Sequence, residues 1–461
     1  MIFSSIEFFV FLGLVLVVLA LSRGEGTRRN VLLVASYVFY GWWDWRFCFL
    51  ILGSTVIDFF AGRRIEGARN AASRKRWLVV SLVANLGVLG FFKYTNFVLD
   101  SLRPLAGDQL PHLDIILPVG ISFFTFQTMS YSIDVYRGVL PATRNLRDFA
   151  LFVSFFPQLV AGPIVRGREF LPQLDFVHPL RASNLRVGTE IFLKGFTKKV
   201  LFADTLAYFV DPVFADPAAY SSATAWAAIV CYALQIYYDF SGYSDMAIGV
   251  GRMLGFELPV NFRHPYRSLD ITEFWRRWHI SLSGWLRDYL YIPLGGNRKG
   301  PSRTYVNLAI TMLLGGLWHG ASWNFVVWGG LHGAALAVHK LWSSWRGTER
   351  SAVGTAFSWA TTFVFVLVTW VFFRAPDFAT AALYLEKMAW IDASGIDWFY
   401  LHAMIVVGLA IALHVSVVLR DERDPHLDLR RPISWGVATA LVIVILLYAP
   451  FGTSPFIYFQ F

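Results

Sequence analysis

Charged residues and cysteines are scarce in this sequence of 461 residues. Only 15% of the residues are charged, whereas soluble globular domains carry about 25%. The two cysteines, Cys48 and Cys231, lie in apolar segments without a framework spacing, which argues against a disulfide scaffold. The net charge of +9 comes from Arg and Lys in loops, as the positive-inside bias of membrane proteins predicts. We therefore expect neither a soluble domain nor a nucleic-acid partner.

Several catalytic signatures are also missing. The chain has no His-Glu-x-x-His sequence and no paired Cys/His ligand set, so we predict no metal site. It has no Gly-x-Ser-x-Gly nucleophile elbow. The basic turn Gly-Gly-Asn-Arg-Lys-Gly at 295–300 is not a P-loop, which needs Gly-x-x-x-x-Gly-Lys-Ser/Thr. This turn is either a basic cytoplasmic turn, which the sequence favours, or a set of N–H groups for phosphate.

Hydrophobic residues, in contrast, make up 56% of the chain, and aromatic residues 17%. Many apolar runs approach the length of about 17–25 residues that spans a bilayer, so we predict an all-α polytopic membrane protein. The N-terminus has no basic region and no cleavage pattern, and we expect it to form a retained first span. The candidate spans are 6–22, 31–43, 47–62, 77–99, 115–136, 149–165, 187–210, 223–250, 304–320, 322–341, 355–373, 398–419 and 433–450.

The spans differ in regularity, and their loops differ in charge. The basic cluster in 63–76 predicts a cytoplasmic loop there, with the N-terminus outside. Pro157 and Pro163 interrupt 149–165, so we expect re-entrant or short helices in that segment. We find no internal repeat, and an inverted-repeat transporter therefore gains no support.

His319 follows Trp318 inside the apolar segment 309–338. An ionisable side chain at membrane depth is costly and is a functional candidate by default. Apolar neighbours favour a neutral imidazole, which can act as a general base toward an attacking hydroxyl. Glycines at 315, 316 and 320 remove side-chain bulk, so we expect room for a thin substrate beside the ring. The alternative is a buried histidine that only bridges helices.

A second histidine, His279, lies on a segment rich in arginine and aromatic residues. We predict one helix here, with Thr272 as its N-cap and His279 at the edge of an aromatic stripe. Such a stripe is typical of an amphipathic helix at a membrane interface, and the alternative for His279 is a purely structural imidazole. The stripe recurs at steps of three and four residues: Trp275, Trp278, Leu282, Trp285 and Tyr289.

Two acidic residues, Asp239 and Asp245, lie in a predicted span. Each is a candidate to orient a histidine or to pair with an arginine, and Asp245 is also a candidate to lie at an interface. Spacing alone assigns neither role, and structural pairing is the simpler interpretation for both.

Two stretches, Asp270–Gly300 and Met312–Gly333, resemble the membrane-bound O-acyltransferases, and within them the bacterial alginate O-acetylases. The first contains Phe-Trp-Arg-Arg-Trp-His-Ile-Ser-Leu-Ser and Leu-Arg-Asp-Tyr-Leu-Tyr-Ile-Pro-Leu-Gly-Gly-Asn-Arg-Lys-Gly, and the second contains Trp-His-Gly. Weaker similarity is found at 159–164, 235–249 and 455–461.

The resemblance implies a fold and a site. It implies that His319 is the catalytic histidine and that His279 is the second recurrent histidine of the family. It also implies a ring of about 11–13 transmembrane helices around a thin centre of re-entrant or short helices, with His319 in a transmembrane tunnel. We predict one domain over 1–461, with N-terminal helices at 1–150, a catalytic core at 151–345 and C-terminal helices at 346–461.

The resemblance further implies the reaction and its setting. The protein is expected to be a multi-pass protein of the inner membrane that binds no cofactor permanently and uses acetyl-CoA as the acetyl donor. The acetyl group is expected to cross the lipid bilayer to a periplasmic acetyltransferase partner that modifies an exopolysaccharide, alginate above all. Other acceptors are peptidoglycan, cellulose and, with D-alanyl transfer, teichoic acid. A different class is a transporter or export scaffold that performs no chemistry.

Overall fold

The computed structural model describes residues 1–107, 110–176, 180–345, 351–419, 427–448 and residue 457. Within these residues the secondary structure is helical, apart from one isolated bridge between Tyr220 and Ile396. The predicted all-α class is therefore confirmed. The similar stretch 455–461 lies outside the described residues, except for Ile457.

The first of two compact units comprises Met1–Phe192 and Met246–Pro259. It contains nine complete α-helices in the described part of the chain, and it contains the beginning of α10 (Ala182–Thr197). The nine are α1 (Ile6–Leu21), α2 (Glu25–Gly41), α3 (Cys48–Glu66), α4 (Ala71–Leu89), α5 (Thr95–Ala106), α6 (Ile121–Arg137), α7 (Leu146–Ser154), α8 (Phe156–Leu159) and α9 (Gly167–Phe170).

The second unit comprises Leu193–Asp245 and Val260–Phe461. It takes the end of α10 and most of the long helix α12, and the remaining helices belong to it. In chain order these are α11 (Asp204–Ala215), α12 (Ser222–Met253), α13 (Ile271–Arg277), α14 (Ile280–Leu286), α15 (Pro301–His319), α16 (Trp323–Trp345), α17 (Ala352–Arg374), α18 (Phe378–Met388), α19 (Leu401–Leu419) and α20 (Pro432–Tyr448).

Three helical stretches of the described residues are long and apolar enough to cross a membrane: Trp45–Glu66, Ala71–Ala106 and Ala352–Arg374. They overlap the predicted spans 47–62, 77–99 and 355–373. Shorter apolar helices are Ile6–Leu21, Leu401–Leu413 and Pro432–Val444. These apolar helices fit a membrane protein, whereas the complete number of spans stays a prediction.

The predicted segment 149–165 is indeed interrupted. Helix α7 ends at Ser154, and Phe155 has a non-helical backbone (φ −51°, ψ 107°) before the four-residue helix α8. Pro157 lies in the first turn of α8, where its missing N–H costs no hydrogen bond. The segment is thus built from short helical pieces, as its prolines indicate.

A buried polar cluster joins three helices of the first unit. The carboxylate of Asp58 on α3 accepts hydrogen bonds from the Ser81 hydroxyl, from Asn85 Nδ2 at 2.7 Å and from Ser132 Oγ at 3.1 Å. A buried carboxyl group without such donors would be strongly destabilising. The cluster therefore fixes α4 and α6 against α3.

In the second unit, glycines allow α15 and α16 to pack with their backbones in contact. A Cβ atom at Gly316 would overlap the carbonyl oxygen of Phe325, and one at Gly329 would overlap the carbonyl oxygen of Met312. Only glycine fits at both places, so these two residues are required for the close approach. The contact places the end of α15, and with it His319, directly beside α16.

Candidate active site

His319 is the last residue of α15 and is buried, with 4% of its surface exposed. Three aromatic rings surround its imidazole edge-on, at centroid distances of 5.0 Å for Trp318, 5.1 Å for Trp328 and 5.4 Å for Phe373. The predicted burial of this histidine among apolar neighbours is therefore confirmed. Its catalytic role stays a prediction.

The space that we expected beside His319 is partly filled. A Cβ atom at Gly320 would overlap the Phe325 ring, and one at Gly316 would overlap the Phe325 backbone. The prediction that these two glycines leave room for a substrate is thus wrong, because α16 occupies that room. Their function is to let the two helices meet.

His279 lies at a break between two short helices rather than within one helix. Trp278 is extended and His279 is left-handed (φ 42°), so that α13 ends at Arg277 and α14 begins at Ile280. The predicted continuous helix is wrong at this point, because Ile280 N–H donates instead to the Asn261 carbonyl at 2.9 Å. Such backbone strain in a non-glycine residue clusters at functional sites.

The start of this segment and the exposure of its aromatic residues also differ from the prediction. Asp270, not Thr272, is the N-cap, and its carboxylate accepts a hydrogen bond from Glu273 N–H at 2.8 Å. Trp278 is fully buried and Trp285 is 5% exposed. Most of the stripe therefore packs inside the protein, whereas its place relative to a membrane interface stays a prediction.

Asn261 fixes the tautomer of His279. The side-chain oxygen of Asn261 accepts the backbone N–H of Ser281 at 3.2 Å, which sets the orientation of the amide. The same oxygen lies 3.2 Å from His279 Nδ1, so Nδ1 carries the proton and donates. Burial lowers the pKa of His279 to about 3, and the ring is neutral at pH 7. Its Nε2 therefore has a free lone pair, with no hydrogen-bond partner among the described residues.

The structure brings the two predicted histidines together. The ring centroids of His279 and His319 are 6.2 Å apart, and Trp318 packs against His279 at 5.8 Å. At this separation the two rings cannot hydrogen-bond to each other directly. A substrate group between them could contact both.

A third buried imidazole, His332 on α16, was not singled out from the sequence. It is fully buried, and its Nδ1 accepts the indole N–H of Trp275 at 3.3 Å. Trp328, one turn earlier on α16, packs against both His332 (4.7 Å) and His319 (5.1 Å). The spacing of four residues between Trp328 and His332 is the signal that could have revealed this side chain, because it puts both on one helix face.

A pocket of about 790 Å³ opens at the other end of α13. Thr272 lines it, and its hydroxyl lies 2.9 Å from Nδ1 of His339. His339 follows His332 by two turns on the same face of α16. The pocket's charged lining consists of Arg263, Arg276, Arg277, Lys340, Asp270 and Glu273.

Positive charge exceeds negative charge in this pocket. Glu273 is paired with Arg277 at 2.9 Å. Arg263 and Arg276 are exposed and have no carboxylate partner in the part of the chain that the structure describes. Lys340 donates to the side-chain oxygen of Asn297, in the basic turn 295–300, at 2.9 Å. The pocket thus offers free cations for an anionic group.

The two acidic residues of α12 pair with lysines rather than with arginine or histidine. Asp245 lies 2.7 Å from Lys198 Nζ, and Asp239 lies 2.5 Å from Lys199 Nζ. Asp239 also accepts the backbone N–H of Ile457 at 2.8 Å. Both therefore have structural partners, as the simpler interpretation predicted. Among the described residues, no three His, Cys, Asp or Glu side chains come together as a metal site would require.

Comparison with known proteins supplies the family context. The sequence profile described as MBOAT, membrane-bound O-acyltransferase family, matches residues 137–375, which contain all three buried histidines. A probable alginate O-acetylase of Pseudomonas aeruginosa is 48% identical over 400 residues, which cover 84% of this chain and 75% of the relative. One from Pseudomonas putida is 42% identical over an alignment that covers 100% of both. A peptidoglycan O-acetyltransferase of Helicobacter pylori is 41% identical and covers 77% of this chain and 73% of the relative.

Proposed function

Because the chain belongs to the membrane-bound O-acyltransferase family, we propose that this membrane O-acyltransferase moves acetyl groups, with His319 as its general base. The observation that carries the proposal is that His319 and His279 are both buried and that their ring centroids lie 6.2 Å apart. Burying two imidazoles among aromatic side chains costs desolvation free energy and does not stabilise a hydrophobic core. At a site of acyl transfer, in contrast, buried imidazoles can take and hold a proton.

The chemistry follows from a neutral imidazole at position 319. Its basic nitrogen takes the proton of an acceptor hydroxyl while the hydroxyl oxygen attacks the carbonyl carbon of an acetyl thioester. The new C–O bond forms, the C–S bond breaks, and the proton passes from His319 to the departing thiolate. The imidazole is then neutral again, so one histidine serves both halves of the exchange.

His279 is proposed to assist this step as a hydrogen-bond acceptor. Its Nδ1–H is held by Asn261, which leaves Nε2 to accept a second O–H or an N–H of the acceptor, other than the O–H that His319 deprotonates. Accepting that bond would hold the reacting hydroxyl close to His319. His279 would therefore position the acceptor, while His319 takes the proton.

The donor is proposed to be acetyl-CoA, and the basic pocket is proposed as its entrance. Arg263 and Arg276 have no carboxylate partners there, and guanidinium groups match phosphate oxygens in geometry and charge. The turn 295–300, which contributes Asn297 to the rim, carries Arg298 and Lys299 and is thus expected on the cytoplasmic side. That is the side on which acetyl-CoA is made.

The similar proteins suggest which molecule finally receives the acetyl group. Because the relatives from Pseudomonas aeruginosa and Pseudomonas putida are probable alginate O-acetylases, we propose that acetyl groups pass through a tunnel at His319 to a periplasmic acetyltransferase partner. That partner would acetylate an exopolysaccharide, alginate above all. The protein would span the inner membrane many times, as a ring of helices around the tunnel. Peptidoglycan is the alternative acceptor that a relative favours; cellulose and D-alanyl transfer to teichoic acid remain others.

The test uses cells whose exopolysaccharide acetylation depends on this chain. We expect His319→Ala protein, present in the membrane in normal amount, to reduce ester-bound acetate on the polymer to background. His402→Ala is the matched control, because His402 is exposed on α19, and it should leave acetylation intact. Full acetylation with His319→Ala would refute the proposed base. Acyl or polysaccharide flux that persists without His319, together with no acetyl transfer by the purified chain and its partner, would favour the export scaffold.

A further inference from the structure

Three fully buried N–H groups in the second unit have no hydrogen-bond acceptor among the described residues. They are the indole N–H groups of Trp278 and Trp328 and the Nε2 side of His332. Each of the three side chains is at most 1% exposed. Buried donors are nearly always paired in folded proteins, so each exception calls for an explanation.

Trp275 determines which nitrogen of His332 carries the proton. An indole N–H can only donate, and Trp275 Nε1 lies 3.3 Å from His332 Nδ1. Nδ1 must therefore be the bare acceptor nitrogen, since a proton there would oppose the indole hydrogen. The neutral ring consequently carries its hydrogen on Nε2, which makes that atom a donor.

Trp328 lies next to the proposed base, and His332 lies next to Trp328. The Trp328 ring contacts the His319 ring at 5.1 Å and the His332 ring at 4.7 Å. Trp328 and His332 are one turn apart on α16, and the Gly316 and Gly329 contacts hold this helix tightly against α15. The donors are thus rigidly placed before any substrate arrives. Trp278, in contrast, packs against Trp370 at 5.0 Å and Phe274 at 5.6 Å.

We propose that Trp328 Nε1–H and His332 Nε2–H donate hydrogen bonds to the carbonyl oxygen of the acetyl group during its transfer at His319. The inference rests on the proposed function and adds the groups that stabilise the oxyanion. When the acceptor oxygen bonds to the carbonyl carbon, the carbonyl π electrons move to the oxygen and His319 holds the proton. Collapse of that intermediate expels the thiolate, which takes the proton from His319. Fixed donors at the oxygen lower the energy of the intermediate and of both flanking transition states relative to the bound reactants.

Trp275 is a positioning residue in this scheme. Its hydrogen bond to Nδ1 keeps His332 in the tautomer with hydrogen on Nε2. Without that bond both tautomers become accessible, and the donor is present for only part of the time. Trp275→Phe should therefore lower the rate of the chemical step less than the removal of His332 itself.

The experiment measures initial rates of acetyl transfer from radiolabelled acetyl-CoA, over a range of donor concentrations, by the full chain in lipid nanodiscs with its native acceptor partner. Trp328→Phe keeps an aromatic ring and removes the N–H, and it should slow transfer by about 10²–10³-fold with an unchanged KM for acetyl-CoA. His332→Leu should act similarly. His332→Gln, whose amide N–H replaces Nε2–H, should restore much of the rate.

Trp370→Phe is the matched control. Trp370 belongs to the same aromatic cluster, but its indole N–H already donates to Tyr266 Oη at 3.2 Å. This variant should lower the melting temperature without a comparable loss of rate. Equal rate losses in Trp370→Phe and Trp328→Phe would mean that the cluster has only a packing role and would overturn the inference.

A second readout does not depend on turnover. A ketone analogue of acetyl-CoA, in which a methylene group replaces the sulfur, binds without reacting and carries a ¹³C-labelled carbonyl. Its infrared carbonyl band should move to lower wavenumber on binding to the wild type and move back in Trp328→Phe. The same band position in both bound proteins would contradict the inference. If the wild type transfers no acetyl group at all, the proposed function fails instead.

Discussion

The imidazole rings of His279 and His319 lie 6.2 Å apart, centroid to centroid, although different helices carry them. The turn at Trp278–His279 and the close packing of α15 on α16 both contribute to this placement. Trp318 contacts both rings, at 5.8 Å and 5.0 Å. Trp318 thus packs between the two imidazoles and holds their separation.

Substitutions at His279 should separate its chemistry from its packing. His279→Leu removes the Nε2 acceptor and should reduce acetyl transfer by about 10²-fold, the lower end of general acid–base effects. His279→Gln keeps a polar atom near Nε2 and should lose less. The initial rates of acetyl transfer by the two variants in nanodiscs, normalised to the amount of folded protein, measure these losses. Wild-type rates in His279→Leu would show that His279 is only structural.

The stability of the protein should depend on pH through His279. Its pKa falls from 6.5 to about 3 on burial, so between pH 7 and pH 5 the unfolded imidazole gains a proton that the folded one does not. The free energy of unfolding should consequently decrease as the pH falls through this window. Melting temperatures of wild type and His279→Gln in detergent measure the effect. The difference between the two melting temperatures should change with pH. Parallel curves of melting temperature against pH would contradict the lowered pKa of His279.

Neighbouring glycines on α16 provide a test of the helix contact. Gly329→Ala should destabilise the protein by about 1–3 kcal/mol, because the new Cβ overlaps the Met312 backbone. Gly330→Ala should be nearly neutral, since its Cβ meets only Leu313 Cδ2 at an ordinary 3.6 Å. Thermal unfolding in detergent compares the two. Equal melting temperatures would argue against the close packing of α15 on α16.

The basic pocket predicts an effect on donor affinity. Arg276→Gln should raise the KM for acetyl-CoA about two- to fivefold, since exposed ion pairs contribute about 0.2–1 kcal/mol, while kcat changes little. The difference should shrink as salt is added. Arg287→Gln is the control, because Arg287 is paired with Asp288 at 2.7 Å and does not line the pocket. The same KM in Arg276→Gln and Arg287→Gln would remove this pocket from the donor path.

The sequence predicted the helical class and the burial of His319 among apolar side chains, and the structure confirms both. An imidazole inside an apolar run is expensive wherever the run folds, and His319 is indeed buried among aromatic rings. The prolines of 149–165 likewise predicted short helical pieces, since proline breaks the helical hydrogen-bond pattern.

Other features could not be read from local patterns. Aromatic periodicity runs straight through Trp278 and His279, so it predicts one helix, whereas long-range bonds to Asn261 and Arg263 break it. A glycine in the sequence can lie beside an empty space or beside a closely packed helix, and the sequence alone does not distinguish the two. This explains the wrong prediction at Gly316 and Gly320. A hydrogen bond between distant helices, such as that from the Trp275 indole N–H to His332 Nδ1, becomes visible only in three dimensions.

The most direct test of the account is the release of the CoA thiol and the transfer of radiolabelled acetyl by purified chains in nanodiscs, followed over a single turnover. Wild type and His402→Ala should behave alike. His319→Ala, with the same melting temperature and the same affinity for acetyl-CoA, should be slower by about 10²–10⁴-fold, as expected for the loss of a general base. A His319→Ala protein that transfers acetyl at the wild-type rate would contradict the central claim.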